Sequence, residues 1–178
     1  MGSVMATGYW SQRPVPSSVE EHAFDRQYGA VVAAEAFHWL DWDRVLPGIA
    51  RSLTPEGHLI LAERKLAGPL PWQADLQALI REYSTNRDHV TYDIVEELQA
   101  RGLITVAGRD QTGVVAHRQP VAGYVESFHS RNGFSRARLA ADRAQQFDDA
   151  LATLLARHCP DGTVSLPVQA RVVWARPV

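Results

Sequence analysis

Residues 28–64 read YGAVVAAEAFHWLDWDRVLPGIARSLTPEGHLILAER, a strand, a loop, a helix, a turn and a strand. Gly29 to Ala34 is an uninterrupted run of small apolar residues, the pattern of a strand buried on both faces of a parallel sheet. Asp43 stands where it can cap the helix that follows, and Val45, Leu46, Ile49 and Leu53 share one face of it. Pro47 requires that helix to begin close to Asp43. Thr54-Pro55-Glu56-Gly57 has turn composition, and His58 to Ala62 is a second apolar strand. Two parallel strands joined by a helix make a right-handed crossover, and ligands of such sheets bind beyond the carboxyl ends of the strands. The first such end is the loop Glu35 to Trp42, which carries two indoles, an imidazole and two carboxylates.

Outward from this unit, Ser18 can cap a short turn over 19–22, and residues 1–18 form an irregular, Pro- and Gly-containing lead-in. A helix is predicted over 72–83. Asp93, with Glu96 in the capping-box position, starts another that Gly102 ends. Strands are predicted over 103–107 and 114–121, separated by a turn at 109–113. The stretch 124–132 reads as short and polar, one helical turn or two, and Ser135 as the cap of a long helix bearing a stripe of Phe147, Leu151, Leu154, Leu155 and His158. The alternation of Val164, Leu166, Val168, Ala170, Val172 and Trp174 predicts a closing strand with one wet face, antiparallel at the far side of the sheet, its start demoted to an edge by Pro167.

The 178 residues suffice for one domain with a real core, and 46% hydrophobic with 21% charged residues is a globular composition. A net charge of −2 gives no reason to expect nucleic acid or a membrane surface as partner. The single cysteine, Cys159, fits a reducing, cytoplasmic setting. No apolar run is long enough to span a membrane. The seven histidines show no metal-ligand spacing, so no metal site is expected.

Ala34-Glu35-Ala36-Phe37-His38-Trp39 followed by Leu53-Thr54-Pro55-Glu56-Gly57 resembles the second half of a class I S-adenosylmethionine-dependent methyltransferase of the bacterial small-molecule type. Two positions depart from that pattern. Gly29 stands where the family often has an acid, and Glu56 replaces the first glycine of its pair. The resemblance implies an α/β, three-layer Rossmann-like methyltransferase sheet, N-terminally truncated, with parallel strands and a C-terminal antiparallel pair. Residues 19–178 would be a partial methyltransferase domain. The family's Gly-rich cofactor turn has no counterpart, since no two of the twelve glycines are separated by a single residue.

By the same resemblance the cofactor is S-adenosylmethionine, met by Ala34, Glu35, Ala36 and Phe37, with Val19 and Glu20 beside the adenine. His38 is the candidate general base, because histidine titrates near neutrality. Trp39, Tyr124, His129 and Arg131 are candidates for binding a small-molecule acceptor, and Arg131 suits a carboxylate. The other expectation is a non-catalytic domain that pairs, as a homodimer, through the uncharged edge of the Gly29–Ala34 strand.

Overall fold

The computed structural model describes residues 18–87 and 92–178, so most of the lead-in expected over 1–18 lies outside the described residues. In chain order the elements are β1 (Tyr28–Ala34), α1 (Trp42–Ser52), β2 (Leu53–Leu66), α2 (Gln73–Tyr83), α3 (Ile94–Ala100), β3 (Ile104–Gln111), β4 (Val115–Pro120), α4 (Val121–Ser127), α5 (Ala141–Ala156) and β5 (Thr163–Pro177). They form a mixed α/β sheet in the order β1-β2-β5-β3, with β4 also paired to β5.

The β1-α1-β2 crossover is present, and β1 and β2 are parallel and adjacent, with Ala30 opposite His58 and Ala34 opposite Ala62. Its cap is Asp41, not Asp43: the Asp41 carboxylate accepts from the Arg44 amide at 3.4 Å, and Asp43 lies in the first turn, where its charge favours the helix dipole. Pro47 therefore falls inside the helix.

The expected turn at 54–57 is a bulge within β2. Tyr28 pairs with Leu53, yet Ala30 already pairs with His58, so the intervening residues of β2 loop out of register. Gly57 is there because a Cβ would stand 2.7 Å from the Tyr28 carbonyl oxygen and 2.9 Å from the Thr54 nitrogen. Both neighbours are backbone and cannot swing aside. Gly57→Ala is expected to cost about 1–3 kcal/mol of stability, read from urea denaturation.

Three strand readings are corrected. The β1 strand is not buried on both faces: Val31 and Ala33 face the core, while Ala30, Val32 and Ala34 are exposed on an edge strand. The closing strand is antiparallel, but it lies inside the sheet, between β2 and the β3–β4 edge. Pro167 is tolerated there because it offers only a carbonyl, which accepts from the Ala67 amide at 2.8 Å. The turn at 109–113 does not reverse the chain. Gln111 pairs with Arg171 and Val115 with Val168, so β3 and β4 run on in one direction along β5, with a slip between them. Polar residues are compatible with a strand on an exposed edge, so their composition read as a turn.

Two cores flank the sheet. On one face α1 and α3 pack Val45, Ile49, Val95 and Leu98 onto Leu59, Leu61, Val173 and Ala175. The second core gathers α2, α4 and α5 around Phe128, Phe147 and Leu151, and reaches the sheet at Val164 and Leu166. Side-chain alternation places those two on the opposite face from Val173 and Ala175, giving helices on both sides. The long helix starts at Ala141, after Ala140, and not at Ser135, whose hydroxyl instead accepts from the Ala137 amide at 3.4 Å. The helical turns expected over 124–132 are present, as α4 and two 3-10 turns over 121–134, but the segment is not polar throughout: it buries Tyr124, Val125, Phe128 and Phe134. No described helix is long and apolar enough to cross a membrane.

Candidate functional site

The loop at the carboxyl ends of β1 and β2 is held by its own acid. Glu35 sits at φ 53°, in the left-handed region that a side chain rarely adopts. Its amide donates to the Ala62 carbonyl at 3.0 Å, and its carboxylate accepts from the Arg64 amide, so both ends of the residue are tied to β2. Such backbone strain, held by surrounding bonds, is a common mark of functional sites. Ala34 and Ala36, on either side, are exposed and small. The next residues form a 3-10 turn, Phe37–Trp39. The Phe37 ring is buried under the loop, and its carbonyl accepts from the Trp42 indole at 2.9 Å. His38 is exposed and tilts against Trp39, with ring centroids 4.9 Å apart, and Trp39 itself is 67% exposed.

Ser18 and Glu20 come to the same end. The 3-10 turn Val19–Glu21 is capped by the Ser18 hydroxyl, and Val19 packs on the sheet core. The Glu20 carboxylate binds the Ser18 hydroxyl and accepts from the Asp41 amide at 3.2 Å, which fixes the turn beside α1. The Ser18 hydrogen bond, with the Glu20 and Asp41 amides, holds the Glu20 carboxyl below the usual range.

The cleft at the base of the loop is lined by Ala33, Glu35, His38, Ala62 and Glu63 and encloses about 10 Å³, room for roughly one water. At this end of the sheet the described residues therefore provide one wall for a nucleotide-sized ligand and not an enclosing pocket. Small exposed side chains flanking a fixed acid are compatible with such a wall.

Tyr124, His129 and Arg131 group together in the second core, with different freedom. Tyr124 is buried, and burial pushes its hydroxyl pKa up. The His129 side chain is 4% exposed and spent on structure, with Nδ1 2.8 Å from the Phe134 carbonyl and Nε2 2.7 Å from the Asp148 carboxylate. It ties the 3-10 turns to α5 and offers nothing to a ligand. Arg131 is exposed as a residue, and its guanidinium lies over the Phe128 ring at 3.9 Å. Among the described residues no three His, Cys, Asp or Glu side chains converge as a metal site would require.

Sequence reading missed an ion cluster beside the cleft. Arg171 donates to Glu63 and to Asp93, each at 2.6 Å, and Lys65 lies 3.2 Å from Glu63. The signal was parity: Glu63 and Arg171 occupy the core-facing positions of their strands, in step with Leu61 and Val173. Arg171 holds the Asp93 carboxyl below its usual range, and Asp93 also caps α3 through the Val95 and Glu96 amides. A carboxylate with a depressed folded-state pKa stabilises fully above its unfolded value, about 3.9, and that contribution is lost as pH falls through the lower folded value. Asp93→Asn keeps a capping side chain and removes the charge. The variant is expected to unfold more easily at neutral pH and to lose less further stability between about pH 5 and pH 2, measured by urea denaturation across that range.

No family model matches the chain. Uncharacterized methyltransferases of Mycobacterium tuberculosis and Mycobacterium bovis are each 38% identical to it over 68 residues, which is 38% of this chain and 28% of theirs. The matched segment thus spans under a third of those relatives. A solved structure assigned as a type II methyltransferase of Anaeromyxobacter dehalogenans superposes with a TM-score of 0.50 at 18% identity, over 85% of this chain and 65% of that one. The chain has the fold of part of a class I S-adenosylmethionine-dependent methyltransferase.

Proposed function

We propose that on this methyltransferase fold the Glu35–His38 loop forms one wall of an S-adenosylmethionine site, and that the chain takes part in methyl transfer to a small-molecule acceptor in the cytoplasm. The observation that carries the reading is the position of the loop, at the adjacent carboxyl ends of the parallel pair β1 and β2. The methyltransferase relatives and the buried, lone Cys159 support it.

In this reading the backbone of Ala34, Glu35, Ala36 and Phe37 borders the methionine part of the cofactor, with Val19 and Glu20 alongside. Bound S-adenosylmethionine supplies a methyl group on a positively charged sulfur. The residues of the chain position and deprotonate. His38, exposed and without a hydrogen-bond partner among the described residues, takes the proton from the acceptor's O–H or N–H on a ring nitrogen. Trp39 and the Tyr124–Arg131 segment bound the acceptor, and His129 holds that segment in place. Positioning of this kind supplies much of the acceleration in a transfer between two bound molecules.

The test is amide-resolved NMR of the chain with millimolar S-adenosylhomocysteine. Shifts are expected at Ala34 to His38 and at Glu20. Absence of shifts there, with the spectrum otherwise that of a folded protein, removes the reading.

A second reading has its own observation. Among the described residues β1 has no strand on its outer edge, it carries no charged residue between Gly29 and Ala34, and Val32 is 62% exposed. Unprotected edges of this kind pair with other strands. A homodimer through β1 is expected in sedimentation velocity, and Val32→Lys is expected to shift it to monomer with an unchanged circular dichroism spectrum. Val31 packs toward the core, so Val31→Lys would unfold the strand and test nothing. A compact wild-type monomer at high concentration rules the homodimer out.

A further inference from the structure

His129 is a buried titratable group to which methyl transfer assigns no proton. Its side chain is 4% exposed, and the Phe147 ring stands nearly perpendicular to it, with centroids 6.4 Å apart. Each ring nitrogen faces an oxygen: Nδ1 the Phe134 carbonyl at 2.8 Å, Nε2 the Asp148 carboxylate at 2.7 Å. A backbone carbonyl can only accept. Asp148 only accepts as well, because its other oxygen lies 3.6 Å from the Arg136 guanidinium, which favours the ionised carboxylate. Two acceptors need two N–H donors, and only the imidazolium form of histidine has both. With one proton fewer, a ring nitrogen would turn its lone pair toward an oxygen at a place closed to solvent, where no water can take over the bond.

The charges around the ring agree. Arg136, which follows the second 3-10 turn, also binds Glu126 of α4 at 2.6 Å. Among the described residues no other carboxylate lies within 4.0 Å of the ring nitrogens. Glu126 and Asp148 are two anions, and Arg136 with a doubly protonated His129 makes two cations, so the group balances only in that form. Arg131, two residues on, is the like charge that opposes it. Its guanidinium lies over the Phe128 ring at 3.9 Å and has no carboxylate within 4.0 Å among the described residues.

We infer that doubly protonated His129 is a latch, which holds the Phe128–Phe134 segment and Arg131 within it, and which lets go of one side of that segment as pH rises. The two bonds do different work. Nε2 anchors the segment to α5, and Nδ1 closes the stretch from His129 to Phe134 around Arg131. A charged acceptor makes the stronger bond, so the last proton stays on Nε2 and the bond to Phe134 is the one lost. The hold is complete while the ring carries both protons and is lost as pH rises, a change histidine can make under physiological conditions. The Gly133 carbonyl still accepts from the Thr85 amide at 2.9 Å and from the Thr85 hydroxyl at 3.1 Å, so the release loosens the Asn132–Phe134 turn and leaves the second core folded. The latch stands on its hydrogen bonds. Its consequence for a bound acceptor rests on the methyl-transfer reading, in which this segment borders the acceptor.

Side-chain nitrogen NMR of the full chain, without cofactor, reads the latch. At about pH 6 both ring nitrogens of His129 are expected to carry protons, and at about pH 9 Nε2 alone. The backbone readouts are two amides of the segment: that of Arg131 donates to the Phe128 carbonyl at 2.9 Å, and that of Phe134 to the Arg131 carbonyl at 3.0 Å. Their hydrogen-exchange protection, corrected for the intrinsic rate, is expected to fall about tenfold as the second proton leaves, while that of the Thr85 amide stays. Asp148→Asn keeps an accepting oxygen and removes the anion, so it is expected to move this fall to lower pH. A ring with one proton at about pH 6, protection that ignores the second proton, or an unmoved fall in Asp148→Asn would each overturn the latch. Both protons present, with no amide shifts from S-adenosylhomocysteine at Ala34 to His38, would keep the latch and remove the methyl-transfer reading. The reverse pattern would keep that reading and remove the latch.

Discussion

Phe147→Ala is expected to destabilise the protein by about 3–5 kcal/mol, the usual cost of deleting a fully buried aromatic ring. Phe147 is 0% exposed and is the hub of the second core. Its ring centroid lies 4.5 Å from Phe134, 5.4 Å from Phe128 and 5.8 Å from Tyr83, so one ring joins α5 to both 3-10 turns and to α2. Those contacts cannot be rebuilt by the methyl group of alanine, and the neighbouring rings are held by their own partners, so the space will not close. Stabilities of natural domains run about 5–15 kcal/mol, which makes this loss about a fifth of the total or more. For a chain of this length it amounts to a fall in Tm of about 10 °C. Phe147→Leu should cost much less, since most of the volume is kept. A loss under about 1 kcal/mol for the alanine variant would mean that the aromatic cluster is not packed as described.

This chain on its own is expected to bind S-adenosylhomocysteine with a Kd of about 1 mM or weaker, near 4 kcal/mol of binding free energy. The described residues offer the Glu35–His38 wall and a cleft of about 10 Å³, with no Gly-rich turn in the sequence to bring backbone amides close to the ligand. Each missing hydrogen bond to the ligand removes about 0.5–1.5 kcal/mol, and several together remove orders of magnitude at about 1.4 kcal/mol per tenfold. Isothermal calorimetry measures this directly. A micromolar Kd would show that residues beyond the loop complete the site within this chain.

The crossover could be read from residues 28–64 because each step carries its own local cause: an apolar run, a capping acid, a helical stripe and a second run. Asp93 was legible for the same reason, since a cap is a contact between neighbours in sequence. What failed depended on partners far along the chain. Composition alone could not show that residues 109–113 continue along β5, because Gly and polar residues suit a turn and an exposed edge equally. Nor could it show that Pro167 lies inside the sheet, since that depends on which of its neighbours need its missing N–H. Candidate site residues divided likewise. Glu35 and His38 were legible as a loop at a strand end. The separation of His129, consumed by Phe134 and Asp148, from the unpaired Arg131 two residues later depends entirely on α5, which the local sequence does not announce.

The place of β5 bears on how the chain is made. It is the last of the described strands in chain order, yet it lies between β2 and the β3–β4 edge, and β2, β3 and β4 all pair with it and not with one another. Of the described strands, only β1 and β2 have a partner available while the polypeptide emerges from a ribosome. The strands beyond them wait with open hydrogen-bonding edges until Thr163–Pro177 is out. A sheet whose keystone arrives last forms mostly through contacts distant in sequence, which fold slowly, and until then it exposes apolar surface that chaperones recognise. Stalled or prematurely ended chains that lack these fifteen residues should therefore be found with chaperones or in aggregates.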